Sequence, residues 1–253
     1  MRRPSMIESN AVSTLFVYDC DRDGPGVLIP RPEIHLVARF GPSEQGSRDV
    51  HALGIRQEVH RKHIHGGQGI VMARLRLGAQ DAVLGVPASA VAGRIVALED
   101  LWGGAGMRRL CERLARARDR ADAAAVLSSA IAERLGTADV DGGGAHAPLV
   151  LAAAGRLTHA SVSAVAADVG VSERHLRRVF HETVGLSPKA FARLTRFRRA
   201  LRAARTDADT SWASIAAATG YYDQGHLIAE FRAIAGVTPR ALLDEIRAAA
   251  SFG

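Results

Sequence analysis

Apolar residues alternate with polar ones, or run in short blocks, over Thr14–Tyr18, Gly26–Ile29, Glu33–Phe40, Val50–Val59 and Gly69–Leu77, with Gly, Pro and Ser between the blocks. A period of two bounded by turn formers predicts strands, and strands this short predict a small antiparallel sheet or barrel. Gly66-Gly67-Gln68-Gly69 reads as a hairpin turn within it. Past Leu77 the period lengthens to that of a helix. Gln80–Leu84 predicts a short one. Met107, Leu110, Leu114, Ala117, Leu127, Ile131 and Leu135 then lay an apolar stripe along Gly106–Leu135, broken into a hairpin near Asp119–Asp122.

The stretch Gly136–Ala145 is rich in Gly, Ala, Thr and Asp, with too little apolar content to pack, and reads as a flexible linker. Beyond it nearly everything has helical spacing: Leu149–Leu157, Ser161–Val169, Ser172–Val184, Pro188–Arg205, Ser211–Thr219, Asp223–Ile234 and Pro239–Ala250. Ser187-Pro188 and Thr238-Pro239 pair an N-cap with a first-turn proline and so fix two helix starts. The expected fold class is α+β. Residues 1–135 form a small β-rich, barrel-like domain with following helices, 136–147 a linker, and 148–253 an all-α domain.

That last domain repeats itself. Val165-Ala166-Ala167-Asp168-Val169-Gly170 returns as Ile215-Ala216-Ala217-Ala218-Thr219-Gly220, and His175-Leu176, Phe180, Gly185 and Pro188 return as His226-Leu227, Phe231, Gly236 and Pro239. Each copy has a short helix (Val162, Val165, Ala166; then Trp212, Ile215, Ala216), a glycine suited to left-handed backbone, and an N-cap opening a second helix. Both copies read as helix-turn-helix units.

Charge supports a polyanionic partner. The chain of 253 residues carries a formal net charge of +7, with a pI near 10.3. From Pro148 onward there are 14 Lys and Arg against 9 Asp and Glu, net +5; the remainder has 19 against 17, net +2. The excess follows the duplication. The two cysteines, Cys20 and Cys111, lie in no metal-type or redox-type pair, as expected in a reducing cytoplasm. No apolar run approaches the roughly 20 residues of a membrane span, and Met1-Arg2-Arg3-Pro4 leads into no signal-peptide core, so a soluble, unexported protein is expected.

In a helix-turn-helix unit the second helix enters the major groove and touches base edges near its N-terminus. The first unit's second helix runs from Ser172 with Leu176, Val179 and Phe180 on one stripe, which leaves Arg174, Arg177 and Arg178 on or beside the opposite face. Planar guanidinium forks suit guanine edges and phosphates, and a good bidentate base contact gives about 1–3 kcal/mol of discrimination. In the second unit Leu227 and Phe231 face inward, leaving Gln224, His226 and Ile228 to reach DNA. Gln224 can pair with adenine, and Ile228 can touch only a thymine methyl. On the connecting helix Arg193 and Arg196 are the phosphate candidates. With Ser172 and His175 at the first helix start, these ten residues are the candidate DNA-contacting set.

Gly220-Tyr221-Tyr222-Asp223-Gln224-Gly225-His226-Leu227, followed by Phe231, Gly236 and Thr238-Pro239, is similar to the C-terminal signature of the AraC/XylS family of bacterial transcription regulators. The resemblance covers about Pro148 to Leu243. It implies seven helices, two recognition helices entering successive major-groove turns of promoter DNA, and base reading by Arg174, Arg177, Arg178, Gln224, His226 and Ile228. Ala229 departs from it, standing where many members carry a polar or basic side chain, so the second helix is expected to position more than to read. More weakly, Gly54-Ile55-Arg56, Ala73–Ala79, Leu84-Gly85-Val86-Pro87 and Leu98–Gly103 resemble the sensory domains of a subgroup. By that resemblance the N-terminal half binds a small-molecule effector of unknown identity or holds a homodimer together, and RNA polymerase joins DNA among the partners. Coupling would act across the linker rather than through a rigid connection.

Other chemistry is thin. His60, His63 and His65, with His35 and His51 on neighbouring predicted strands, are metal-type residues, since imidazole suits zinc, nickel or copper. His63 and His65 share one strand face while His60 points away, and Glu58 is the only nearby carboxylate, so the expectation is exposed histidines beside Arg61 and Lys62, with no metal and no cofactor. There is no nucleophile elbow, paired carboxylate or phosphate loop, and no enzyme is expected. A DNA-directed alkyl-transfer enzyme would need Cys20 or Cys111 as nucleophile. Asp19 and Asp21 disfavour a thiolate at Cys20, and Cys111 lies in an apolar helical stripe. A third reading makes the N-terminal half only a dimerisation module, through the Met107–Leu135 helices.

Overall fold

The computed structural model describes residues 11–20, 23–40, 49–137, 146–207 and 210–250. Five antiparallel strands form one sheet in the order β1 (Val12–Cys20), β6 (Gln68–Leu75), β3 (His35–Phe40), β4 (Val50–Leu53) and β7 (Ile95–Ala97). A separate two-stranded ribbon pairs β2 (Gly24–Leu28) with β5 (His60–Ile64). The α+β class holds, but the sheet stays open instead of closing into a barrel. Its edge strand β7 is three residues long, and β2 and β5 pair with each other instead of bridging the edges. Two strand expectations change. Val50–Val59 is not one strand, because only β4 lies in the main sheet and the chain then leaves it for the ribbon. Gly66–Gly69 does not close a hairpin either; it carries the chain from β5 in the ribbon to β6 in the sheet.

The period of two is visible in burial. Val71, Ala73 and Leu75 of β6 are fully buried while Met72 and Arg74 between them are not. Helix α4 (Arg120–Thr137) lies on β1 and β6 and buries Ala123, Ala124, Leu127 and Ile131 there. Helix α3 (Leu98–Ala115) adds Met107, Leu110 and Leu114, so the long apolar stripe belongs to its own domain's core. Two short helices, α1 (Gln80–Leu84) and α2 (Ala88–Val91), precede them. Gly136 and Thr137 end α4, although they read as the start of the linker; residues 138–145 of that stretch lie outside the described residues.

The C-terminal half is α5 (Ala147–Arg156), α6 (Val162–Asp168), α7 (Glu173–Val184), α8 (Pro188–Thr206), α9 (Trp212–Thr219), α10 (Gln224–Ala235) and α11 (Pro239–Ala250). Helix α8 runs through the middle and buries Phe191, Leu194, Phe197, Ala200, Leu201 and Ala204. It joins the two repeats: Phe191 meets Phe180 of α7 with ring centroids 5.1 Å apart, and Phe197 meets Phe231 of α10 at 4.5 Å. Contacts at these distances and burial of the rings make one core out of two units.

The two halves touch. Helix α2 packs on α7. The Val59 N–H donates to the Ile234 carbonyl at 2.8 Å, and Arg61 of β5 reaches the Ala235 carbonyl at 2.9 Å and Glu245 of α11 at 2.8 Å. Arg198 of α8 lies 3.4 Å from Glu33. No helix among the described residues is long and apolar enough to cross a membrane.

Candidate nucleic-acid interface

Helices α7 and α10 start from the same local chemistry. The Ser172 hydroxyl accepts the His175 N–H at 3.2 Å, and the Asp223 carboxylate accepts the His226 N–H at 2.7 Å. Ser161, Ser187 and Ser211 cap α6, α8 and α9 in the same way. Each cap satisfies a backbone donor that would otherwise lack a partner and contributes on the order of 1 kcal/mol. The turns before α7 and α10 also match. Gly170 and Gly220 have φ of 72° and 86°, and the next residues, Val171 and Tyr221, donate back to the Ala166 and Ala216 carbonyls at 2.9 and 3.0 Å. This six-to-one bond across a left-handed glycine is how a helix stops and turns sharply. The duplicated glycines are there because of that backbone.

On α7, Leu176, Val179, Phe180, Thr183 and Val184 are buried, and Arg174, Arg177 and Arg178 are exposed. Arg177 pairs with Glu173 at 2.5 Å and Arg178 with Glu182 at 3.1 Å, one turn away on the same helix. Arg178 also approaches the His175 ring nitrogen at 3.4 Å. Exposed pairs of this kind are worth only about 0.3–0.5 kcal/mol. They hold the guanidinium groups out on the surface and yield readily to a phosphate or a guanine. Arg174 makes no ion pair among the described residues.

Helix α10 is built differently. Gln224 and His226 are exposed, Ile228 is half-buried against the core, and Glu230 is buried with the apolar residues at 7% exposure. Three groups surround that carboxylate. The Tyr221 hydroxyl donates to it at 2.7 Å, Arg196 of α8 donates at 2.6 Å, and Arg193 stands 3.7 Å away. The Arg196 guanidinium also lies over the Tyr221 ring at 4.9 Å. Burial and then Glu230 push the Tyr221 phenol well above its ordinary range, so it stays protonated as a donor. Arg196 is therefore turned inward on Glu230 and the Tyr221 ring, with its Nε buried and without a hydrogen-bond partner, and its place in the fold is as a brace between α8 and α10 and not as a free phosphate ligand. Arg193, more exposed, retains that role as a candidate.

Two residues of this region were not singled out by pattern. Glu230 looks, in sequence, like any solvent-facing helix acid. Tyr222 is 92% exposed immediately before the α10 N-cap, while its neighbour Tyr221 is buried. A large exposed ring at the mouth of a recognition helix is available to stack or to contact a phosphate.

The chain matches the family model for a helix-turn-helix domain over residues 165–245. This region is an AraC-type helix-turn-helix domain. The chain is also similar to several solved structures. One is a transcriptional regulator with an AraC-type DNA-binding domain from Chromobacterium violaceum, 28% identical, covering 42% of this chain and 96% of that one, with a TM-score of 0.35. Another is a lysine-to-alanine variant of ToxT from Vibrio cholerae in an apo form, 10% identical over 95% of this chain and 100% of that one, TM-score 0.45. ToxT with an unsaturated fatty acid bound is likewise 10% identical over 96% and 97%, TM-score 0.46. No curated protein matches the chain.

Against α8 of the AraC-type domain, the N-terminal half presents a basic cluster. Burial, then Arg198 and Arg74, lower the Arg31 guanidinium to about 10. His35 is held neutral, lowered to about 3 by burial first and then by Arg74, Arg31 and Arg198. Arg74 stacks over Phe16 at 4.8 Å, and its buried Nε has no hydrogen-bond partner. Glu33 is the carboxylate that faces Arg198. The five histidines do not assemble into one group. His35 pairs across the sheet with Leu53 and Arg74, His51 with Val37 and Ala97, and His60 sits exposed opposite Leu28. His63 and His65 instead gather around Asp23, at 3.6 and 3.7 Å. The Gly66 N–H, then His63, hold the Asp23 carboxyl below its usual range.

Proposed function

We propose that the protein is a cytoplasmic, sequence-specific transcription regulator whose AraC-type domain places α7 and α10 in adjacent major-groove turns of promoter DNA. The observation that supports this reading most is the repeated cap-and-turn geometry, which presents Arg174, Arg177 and Arg178 outward on a helix whose opposite face is buried. The contact set is Ser172, Arg174, His175, Arg177, Arg178, Arg193, Gln224, His226 and Ile228, joined by Tyr222. Arg196 positions the set instead of touching DNA.

Control by a small molecule is the second part of the reading. The N-terminal half touches α7, α8, α10 and α11 directly, so an effector there would act through packed surfaces as well as across the linker. Arg31, Arg74 and Arg198 crowd round Glu33 and a neutral His35. Buried charge of one sign favours a counter-charge, so a small organic anion suits the place. A homodimer and RNA polymerase are further partners of such a regulator.

Selection from a random duplex library, followed by sequencing of the bound fraction, tests the function. The expected result is one enriched motif with two half-sites about 10 bp apart. Enrichment of no sequence, with affinity set by salt alone, would overturn it.

A further inference from the structure

Asp23 lies 40 positions before His63 and 42 before His65, yet the fold brings one ligand-type atom from each of the three within 4.8 Å of the other two. Asp23 stands just before β2, and His63 and His65 lie in and just after the end of β5, so all three sit at the same end of the ribbon. The Asp23 carboxylate is oriented: its Oδ1 accepts the Gly66 N–H at 2.7 Å, which turns Oδ2 toward His63 Nε2 at 3.6 Å and His65 Nδ1 at 3.7 Å. The imidazole rings stand edge to face with centroids 5.1 Å apart.

We propose that Asp23, His63 and His65 form a binding site for a divalent transition metal of the zinc class, which staples the β2–β5 ribbon. Metal bonds of about 2.0–2.2 Å in a tetrahedral set put ligand atoms about 3.3–3.5 Å apart. The two separations to Asp23 are within a few tenths of an ångström of that. The exposed imidazoles are free to turn by the remainder. Two imidazoles and a carboxylate match borderline metals better than Mg²⁺ or Ca²⁺, which prefer all-oxygen sets. A backbone N–H holding the second oxygen of a ligating carboxylate is the kind of outer contact that such sites use. Three protein ligands leave a coordination position for water or an exogenous group.

The site has a consequence for the rest of the molecule. A two-stranded ribbon alone is marginally stable in water. This one carries, at and near its other end, the Val59 bond to Ile234 and the Arg61 bonds to Ala235 and Glu245, which hold it on α10 and α11. Between ribbon and α11 runs a groove lined by Gly26, Val27, Arg61, His63 and Glu245. A metal on His63 would therefore order the ribbon and tighten its hold on the second helix-turn-helix unit. The regulatory step rests on the proposed DNA-binding function, whereas metal binding does not.

The test uses full-length, tag-free, chelator-treated protein titrated with Zn²⁺ against a chromogenic chelator, with Mg²⁺ as control. The expected result is one saturable equivalent of Zn²⁺, weakened at least tenfold in each of Asp23→Asn, His63→Ala and His65→Ala and unchanged in His60→Ala. Co²⁺ should give the visible absorption of a low-coordinate nitrogen and oxygen site in the parent and lose it in the same three variants. All three side chains are exposed, so the metal-free variants should melt with the metal-free parent, which separates lost ligation from lost folding. No saturable binding, or binding that survives the three substitutions or falls equally in His60→Ala, overturns the site. In a second arm Zn²⁺ should shift affinity for the selected duplex in the parent and not in Arg61→Ala, which keeps the metal but loosens the ribbon. Stoichiometric Zn²⁺ with no change in DNA affinity overturns the coupling while leaving both the site and the DNA-binding reading standing.

Discussion

The two helix-turn-helix units share their caps, their left-handed glycines and their core phenylalanines, and they differ in where they keep their charge. In the first unit the arginines are on the surface, tied to Glu173 and Glu182 by pairs that cost little to break. In the second the charge is inside, where Glu230 joins Tyr221 and Arg196 under the recognition helix. One scaffold thus serves two purposes. Exposed guanidinium groups can exchange a weak partner for a base, while the buried Glu230 carboxylate ties α10 to Arg196 of α8. Under the proposed function, the difference assigns most of the reading to α7 and leaves α10 positioned for a few contacts, Gln224, His226 and Tyr222 among them.

The comparison breaks first at Glu230. Glu230→Ala leaves Arg196 half-buried without its anion, and removal of one partner from a buried pair costs about 3–5 kcal/mol. Denaturant unfolding should show that loss, while Glu173→Ala, which removes an exposed partner of Arg177, should change stability by under about 0.5 kcal/mol. Equal effects would mean that the second unit is not braced in this way. Next in size is DNA discrimination. Arg177→Ala should lower affinity for the selected duplex by about 1–3 kcal/mol and relax preference at one or two positions, with Gln224→Ala losing less. Competition binding against single-base variants of the duplex measures both, and a larger loss at Gln224 would reverse the assignment of roles.

These contrasts were unevenly legible in the chain. Helix limits in the C-terminal half could be read because Ser161, Ser172, Ser187, Ser211 and Asp223 are caps and Gly170, Gly185, Gly220 and Gly236 are stops, all of them local signals. The ribbon strand β5 could not, since His60–Ile64 has one apolar residue in five and no buried side chain, so no apolar period marks it. β7 and α2 are too short for periodicity to register, and α2 has no side-chain cap. The inward turn of Arg196 and Glu230 was hidden for another reason. Each is an ordinary charged helix residue until a partner 34 positions away is folded against it, and the same is true of Asp23 with His63 and His65.

Glycine sharpens the shared part of the design. Because Gly170 and Gly220 both hold positive φ, an alanine at either should cost about 1–2 kcal/mol from the backbone alone. A Cβ at Gly170 meets nothing within 4 Å, and one at Gly220 meets only the Arg196 chain at 3.9 Å, so contact adds little at either place. The two variants should therefore lose nearly the same stability in thermal or denaturant unfolding. A large gap between them would show that the turns are not energetic copies.

The smallest effect lies where α1 and α2 of the N-terminal half meet α7 of the first unit. Burial raises the Asp81 carboxyl to about 6, with the Ala88 N–H acting against the shift and Glu182 of α7 adding to it. A carboxyl whose folded value lies above its unfolded one binds its proton more tightly in the native state, so its contribution to stability is full below about pH 4 and is lost as pH rises through about 6. Asp81→Asn keeps an acceptor for the Ala88 N–H, 2.9 Å away, and removes the charge that faces Glu182. Above pH 7 the variant should be more stable than the parent, by on the order of 1 kcal/mol once partial exposure is allowed for, and the two should converge near pH 4. Unfolding curves across that range decide it. A parent whose stability advantage over the variant grows with rising pH would place the Asp81 charge in a favourable setting, and the contact between α1, α2 and α7 would then be one that ionisation tightens instead of loosens.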